Sequence, residues 1–290
     1  MKNNPIHDDS PLKMQRVPVS FERRAFLRES AMVTCGIVCF GAVGSLVGCG
    51  NGDDEEAGHG GAPPYERKIL LDNFEEQLPF YNRALSENKG GAAADWVARD
   101  ARVYFERLMT EIPYVGDAHN PLPKTLIQSA VALSFYRSLR AAGEEIEQAG
   151  NLIVEAAEVG FSTVSEEEHR AQGEYQFTTE WYRIQRFAAK KSQEGLYPGD
   201  WVFRYIEGVP DEFDWGWDFT ECGILKLYKA RHAEELLPYL CVQDFIISKL
   251  ERTGLQRTMT LAKGDDCCNF RYRKGREVRV TLEARISRCS

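Results

Sequence analysis

The sequence predicts an α+β fold, with a helical N-terminal part packed on a small antiparallel sheet in the C-terminal third. Three observations carry that prediction. Apolar residues recur at steps of three and four from about Tyr65 to Gln193. After "EGLYPGD" the repeat shortens to two, in segments rich in aromatic residues. Each alternating segment has one apolar side, the pattern of strands half covered by helices.

The chain begins with an address. Arg23 and Arg24, then Phe26, Leu27 and Arg28, precede an uncharged run from Ala31 to Gly48. A basic segment, an apolar segment and closing small residues make a secretory signal. The arginine pair with Phe-Leu resembles the twin-arginine export signal, with Glu22 where that pattern usually has Ser or Thr. Leu46-Val47-Gly48-Cys49 resembles the bacterial lipobox, in which cleavage leaves the cysteine as a lipidated first residue. Residues 1–48 are therefore expected to be a signal peptide and Cys49 an anchor to the lipid bilayer. The protein would be exported to the cell envelope and held on the periplasmic side of a membrane. An uncleaved helix is the alternative, since about 18 apolar residues is the lower limit for spanning. Four glycines in the run make it a poor helix.

Residues 49–64 read as an acidic, glycine-rich tether. From Gly50 to Pro64 there is no large apolar residue, so the segment cannot repay the entropy of ordering. As a coil its ends lie about 20 Å apart. The signal takes six of 36 basic and four of 44 acidic residues, which leaves 30 against 40 in the remainder. No basic cluster survives outside "AAKK" and "FRYRKGR". Nucleic acid is excluded as a partner on that ground, because such binding rests on concentrated positive charge.

Residues 65–290 are enough for a single domain, mainly helical over 65–195 and mixed over 196–290. "PLPKTLIQSAVALSFYRSLRAAG" is the clearest helix, with Pro123 at a first helical position and Gly143 at its stop. Ile127, Val131, Phe135 and Leu139 step by four and predict one apolar stripe. Phe177, Trp181, Ile184 and Phe187 are read as a second stripe facing the core. Strands follow at Trp201–Tyr205 and Phe213–Phe219. A helix is expected over about Ile224 to Leu250, then strands near Leu255–Ala262, Cys267–Arg273 and Val278–Ile286.

The C-terminal third holds Cys222, Cys241, Cys267, Cys268 and Cys289. None has the C-x-x-C spacing of a zinc site, and no metal or cofactor is called for. An exported protein ordinarily forms disulfides, but cargo that folds before crossing can keep buried thiols. In "LLPYLCVQDFIISKL", Leu237, Leu240, Cys241, Asp244, Ile247 and Ser248 share one helical face. Asp244 thus sits on an apolar stripe, where an ionised carboxylate is costly. It is either hydrogen-bonded structurally or tuned for acid–base work. Strand parity puts Cys268 with Phe270 and Tyr272, and Cys267 with Asn269 and Arg271.

The residues Asp218-Phe219-Thr220-Glu221-Cys222, Leu240-Cys241 through Asp244, and Thr260-Leu261 through Gly264 to Cys268-Asn269-Phe270-Arg271 form three ordered motifs. They resemble the L-2-amino-thiazoline-4-carboxylic acid hydrolase family, well over Phe213–Arg273 and weakly back to about Asn120. Asn269 stands where that family usually has aspartate, and Cys267 is extra. The resemblance implies a hydrolase that opens a cyclic thio-amidine at a carbon–sulfur bond, so the ligand is a small sulfur-containing molecule. It implies Cys241 or Cys268 as nucleophile, Asp244 as acid–base group, Cys222 as a pocket wall and Arg271 as receiver of a substrate carboxylate. Two other readings stand beside it. The thiols and carboxylate can hold a soft metal ion in an envelope metal-binding lipoprotein, or the fold can be an inactive binder whose chemistry went with the aspartate.

Overall fold

The computed structural model describes residues 65–116 and 121–278. The signal, Arg23, Arg24, Cys49, the tether, Cys289 and all but the first residue of the last expected strand lie outside the described residues. No helix among the described residues is long and apolar enough to cross a membrane.

Helix α1, Arg67–Lys89, buries Leu70, Phe74, Gln77, Tyr81, Ala84 and Leu85, which step by three and four. Pro79 lies inside it on the solvent side, where water can take the carbonyl that its missing N–H leaves free. Gly90, at φ 81°, turns the chain directly into α2, Gly91–Leu108. A positive φ of that size favours glycine. A 3₁₀ turn at Met109–Glu111 closes α2.

Helix α3, Pro121–Ala141, is the centre of the helical part. Every residue from Leu126 to Tyr136 has at most 3% of its surface exposed. One apolar stripe was expected, and the helix is instead enclosed on all sides by α1, α2, α4 and α7. Its serines make this possible. Ser129 and Ser134 donate to the Leu126 and Ala130 carbonyls, and Ser138 to the Val97 carbonyl on α2. A buried hydroxyl with its bond made costs little.

Helix α4, Ile146–Phe161, begins with a capping box at Glu145 and Gln148. Ser165 and Glu168 make a second box at the start of α5, Glu166–Tyr175. The Thr178 side chain accepts the Trp181 N–H and restarts the chain as α6, Thr179–Ser192. Trp181 and Ile184 are buried as expected, but Phe187 is half exposed. Each residue turns a helix by about 100°, so two steps of three rotate Phe187 about 120° away from Trp181. Gln185, four residues on from Trp181, takes the inward place and is fully buried.

The sheet has strands β1, Val202–Val209, β2, Phe213–Glu221, and β3, Cys268–Tyr272, in that order and antiparallel throughout. Phe219 pairs with Phe203 on one side and Cys268 on the other, Trp217 with Phe270, and Trp215 with Tyr272. Period-two alternation sends Trp215, Trp217, Phe219, Cys268, Phe270 and Tyr272 inward, all buried. Trp181 of α6 closes edge-on against Trp215, with ring centroids 5.7 Å apart. Truncating a buried tryptophan of this kind to alanine costs about 3–5 kcal/mol.

Between β2 and β3 the chain forms α7, Gly223–Ala230, a 3₁₀ turn at Glu234–Leu236, α8, Leu237–Cys241, and α9, Gln243–Glu251. The expected single helix is therefore broken. Its C-terminal part packs on α5, where a Cβ at Gly173 would stand 1.8 Å from the Glu251 carbonyl oxygen. Only glycine lets those two helices come this close. Arg252 ends α9 in the left-handed region at φ 59°. The segment after it was expected to be a strand, but it forms a single bridge, Gln256 with Arg271, and then a 3₁₀ turn at Leu261–Lys263. The Asn269 side chain explains why the ladder stops. Its Oδ1 accepts the N–H groups of both Thr258 and Met259, taking donors that a longer ladder would use.

Candidate active site

The three motifs meet around the Arg257 guanidinium, which lies over Phe245 of α9 and Phe270 of β3. Cys268 comes from β3, Cys222 from the end of β2 where α7 begins, and Cys241 and Asp244 from the junction of α8 and α9. Each thiol lies near enough to Asp244, or to its neighbouring sulfurs, to bear on the other's ionisation. Cys222, Cys241, Cys267 and Cys268 are all free thiols.

Asp244 is 4% exposed. Burial pushes its carboxyl up to about 6, while the Arg257 guanidinium, by charge and by hydrogen bond, holds it back. Arg257 Nη1 donates to Oδ2 at 2.6 Å, whereas Oδ1 is buried without a hydrogen-bond partner among the described residues. Such an orphan acceptor is costly unless something supplies its donor.

Arg257 went unread in the sequence, and it is the cation of this cluster. Its Nη2 donates to the Cys241 carbonyl at 2.9 Å. Its guanidinium lies over the rings of Phe245 and Phe270, at 5.0 and 4.8 Å from their centroids. Burial works against its charge, but Asp244, Cys241 and Cys268 together outweigh burial and hold it firmly protonated. One cue existed in the sequence. Arg257 is the sole charged residue in "TGLQRTMTLA", a run otherwise free of charge.

The three thiols differ in their surroundings. Burial raises Cys222 to about 11, against the opposing influence of the Leu225 and Ile224 amides at the start of α7. No hydrogen bond from these amides to the side chain caps that helix. Burial likewise raises Cys241 well above the usual thiol range, with Arg257 opposing. Cys268 is different in its bonding. The Leu261 N–H donates to its Sγ at 3.2 Å, and the Thr260 hydroxyl lies 3.5 Å from the same sulfur.

The loop that aims these groups is short. Asp265 Oδ2 accepts the Thr260 N–H at 2.7 Å, and Gly264 turns the chain at φ 85°. This is a physical reason for the spacing of Thr260-Leu261, Gly264 and Cys268. A loop of that length folds back so that its own amide meets the sulfur of the strand that follows it.

Other expected residues lie elsewhere. Arg271, read as a receiver for a substrate carboxylate, is on the outer face of the sheet, opposite to Cys268. Its Nη1 donates to Asp218 at 2.8 Å and to the Trp217 and Phe270 carbonyls. Cys267 shares that outer side, where burial and Asp218 raise its thiol. Asn269 also faces outward and serves as a clip, its Nδ2 donating to Thr258 Oγ1 at 2.8 Å. An aspartate there would accept the same two amides, so the exchange leaves the inner face untouched. Among the described residues no group of three or more His, Cys, Asp or Glu side chains is placed to hold a metal ion.

A family model described as L-2-amino-thiazoline-4-carboxylic acid hydrolase matches residues 124–272. The match runs from α3 to the last residue of β3 and takes in Cys222, Cys241, Asp244, Arg257 and Cys268. No curated protein and no solved structure matches the chain.

Proposed function

Because the chain belongs to the L-2-amino-thiazoline-4-carboxylic acid hydrolase family, we propose that it opens a cyclic thio-amidine at its ring carbon–sulfur bond. Cys268 is the nucleophile and Asp244 the acid–base group. One observation supports this choice of thiol above the others. The Leu261 N–H points at Cys268 Sγ from 3.2 Å, while burial keeps Cys222 and Cys241 protonated near neutral pH.

The chemistry balances with water as the only co-reactant. Asp244 takes the Cys268 proton as the sulfur adds to the ring carbon that joins sulfur to nitrogen. The ring carbon–sulfur bond then breaks, and the departing sulfur leaves as a thiol with the proton from Asp244. Water adds to the carbon now held on Cys268, and Asp244 receives its proton. Collapse to the carbonyl expels Cys268, which takes the proton held by Asp244, while the second water proton passes from the hydroxyl to the former ring nitrogen, and the product is a carbamoyl-cysteine. Cys222 and Cys241, kept as neutral thiols, wall the site.

The protein works in the cell envelope, exported through the signal that carries Arg23 and Arg24 and tied to the bilayer at Cys49. Support for this lies in the sequence of residues 1–64. The test of the activity is direct. Purified protein is incubated with the thiazoline carboxylate, and new thiol and ureido product are measured. Equal release of both supports the reading, and no release from folded protein defeats it.

A further inference from the structure

We propose that Arg257 is a positioning residue that braces the acid–base group against the nucleophile's strand. The inference rests on the functional reading above for the roles of Asp244 and Cys268. Its basis is three contacts that one side chain makes at once. Nη1 holds Oδ2 of Asp244 on α9, Nη2 holds the Cys241 carbonyl at the end of α8, and the guanidinium plane lies over Phe270 on β3, two residues from Cys268.

Each contact has a physical reason. The break at Val242 ends α8 and begins α9, so the Cys241 carbonyl is near a helix end, where carbonyls lack intrahelical partners. A guanidinium can satisfy that oxygen and a carboxylate together, because its donors are fixed in one plane. A lysine ammonium would carry the charge but has no such fork. With Oδ2 held by Arg257, Oδ1 is left buried without a hydrogen-bond partner among the described residues, and it is the oxygen left to exchange a proton. Arg257 thus selects which oxygen moves the proton and fixes the distance from α9 to β3. The charged group that faces Asp244 and bears on its ionisation is Arg257 from the loop, while Cys241 from α8 and Cys222 at the end of β2 lie near enough for the Asp244 charge to act on them.

The test uses Arg257→Met, Arg257→Lys and the parent protein, with two readouts. The first is the pH dependence of turnover. The second needs no substrate: the rate at which iodoacetamide alkylates Cys268 across pH 4 to 9, followed by peptide mass. The brace predicts that Arg257→Met moves the acid limb of both profiles upward by about one pH unit, since the opposing charge is lost. It predicts that Arg257→Lys keeps the limb near the parent's but lowers kcat roughly tenfold or more, with KM little changed, because orientation is lost while charge remains. Profiles of a folded Arg257→Met protein that superimpose on the parent's overturn the brace. If Arg257→Met does not fold, Arg257→Lys decides alone. Alkylation slowed at least about threefold at neutral pH supports the brace, and a rate equal to the parent's overturns it. A parent protein that alkylates with an inflection near pH 6 but never opens the ring defeats the functional reading and leaves the brace standing.

Discussion

Asp244 gives one carboxylate oxygen to Arg257 at 2.6 Å and keeps the other buried without a bond among the described residues. That division is what a proton carrier requires. One oxygen fixes the group in place, and the second remains to exchange a proton with whatever enters the site.

Asp244→Asn keeps the shape and can still accept from Arg257, but it cannot carry a proton. Turnover is expected to fall by roughly 10² to 10⁴ with little change in melting temperature. In the parent protein Asp244 must be ionised to start the reaction, so activity rises with pH through about 6. A rate that is flat from pH 5 to 7 contradicts that role.

Glu251 predicts a stability effect at the opposite end of α9 from Asp244. It is buried, accepts a hydrogen bond from Gln176 at 2.7 Å, and burial raises its carboxyl from 4.5 to about 8. In the unfolded chain the group ionises near 4.5, well before it does so in the fold. Its contribution is therefore complete below about 4.5 and is lost as pH rises towards 8. Glu251→Gln is expected to flatten the stability profile between those limits and to stabilise the protein at pH 8. Chemical denaturation at pH 5 and pH 8 checks this, and an unchanged difference between the two pH values contradicts it.

Asn269→Asp restores the residue that the family usually carries, yet it is expected to change little. The carboxylate would accept the Thr258 and Met259 amides as the amide oxygen does, and it sits on the sheet face away from Cys268. Turnover within about threefold of the parent is predicted, since no group touching the reacting atoms changes. A gain of a hundredfold or more would mean that the outward carboxylate takes part in the chemistry.

Export and anchoring rest on residues 1–64. Replacing Arg23 and Arg24 with lysine is expected to hold the chain in the cytosol. Cys49→Ala is expected to abolish lipid labelling and release the protein from the membrane fraction. A Cys49→Ala protein that stays in the membrane with its signal uncut contradicts the lipid anchor.

Much of this architecture can be read from the chain because a strand reports its own faces. Alternation by two put Cys268 with Phe270 and Tyr272, and the register of β2 with β3 carries them inward together. The face shared by Leu240, Cys241, Asp244 and Ile247 is similarly legible, and the break at Val242 leaves it largely intact. Helix α3 was less legible, since its serines look like a solvated side until their bonds to nearby carbonyls are seen. Arg257 lies in a segment with neither helical nor strand period. Nothing periodic can say where such a side chain points. The role of Asn269 was not legible for a related reason, because its main partners are backbone amides eleven and ten residues away.

The central claim is that one thiol, Cys268, attacks the ring. Its most direct test compares Cys268→Ala with Cys241→Ala and Cys222→Ala, measuring thiol released from the thiazoline carboxylate by proteins that melt at the parent's temperature. The account predicts that Cys268→Ala releases none above the uncatalysed background, while the other two keep at least about a tenth of the parent's rate, as expected when only the attacking atom is indispensable. A folded Cys268→Ala protein that still opens the ring, or a Cys241→Ala protein that is as dead as Cys268→Ala, contradicts it.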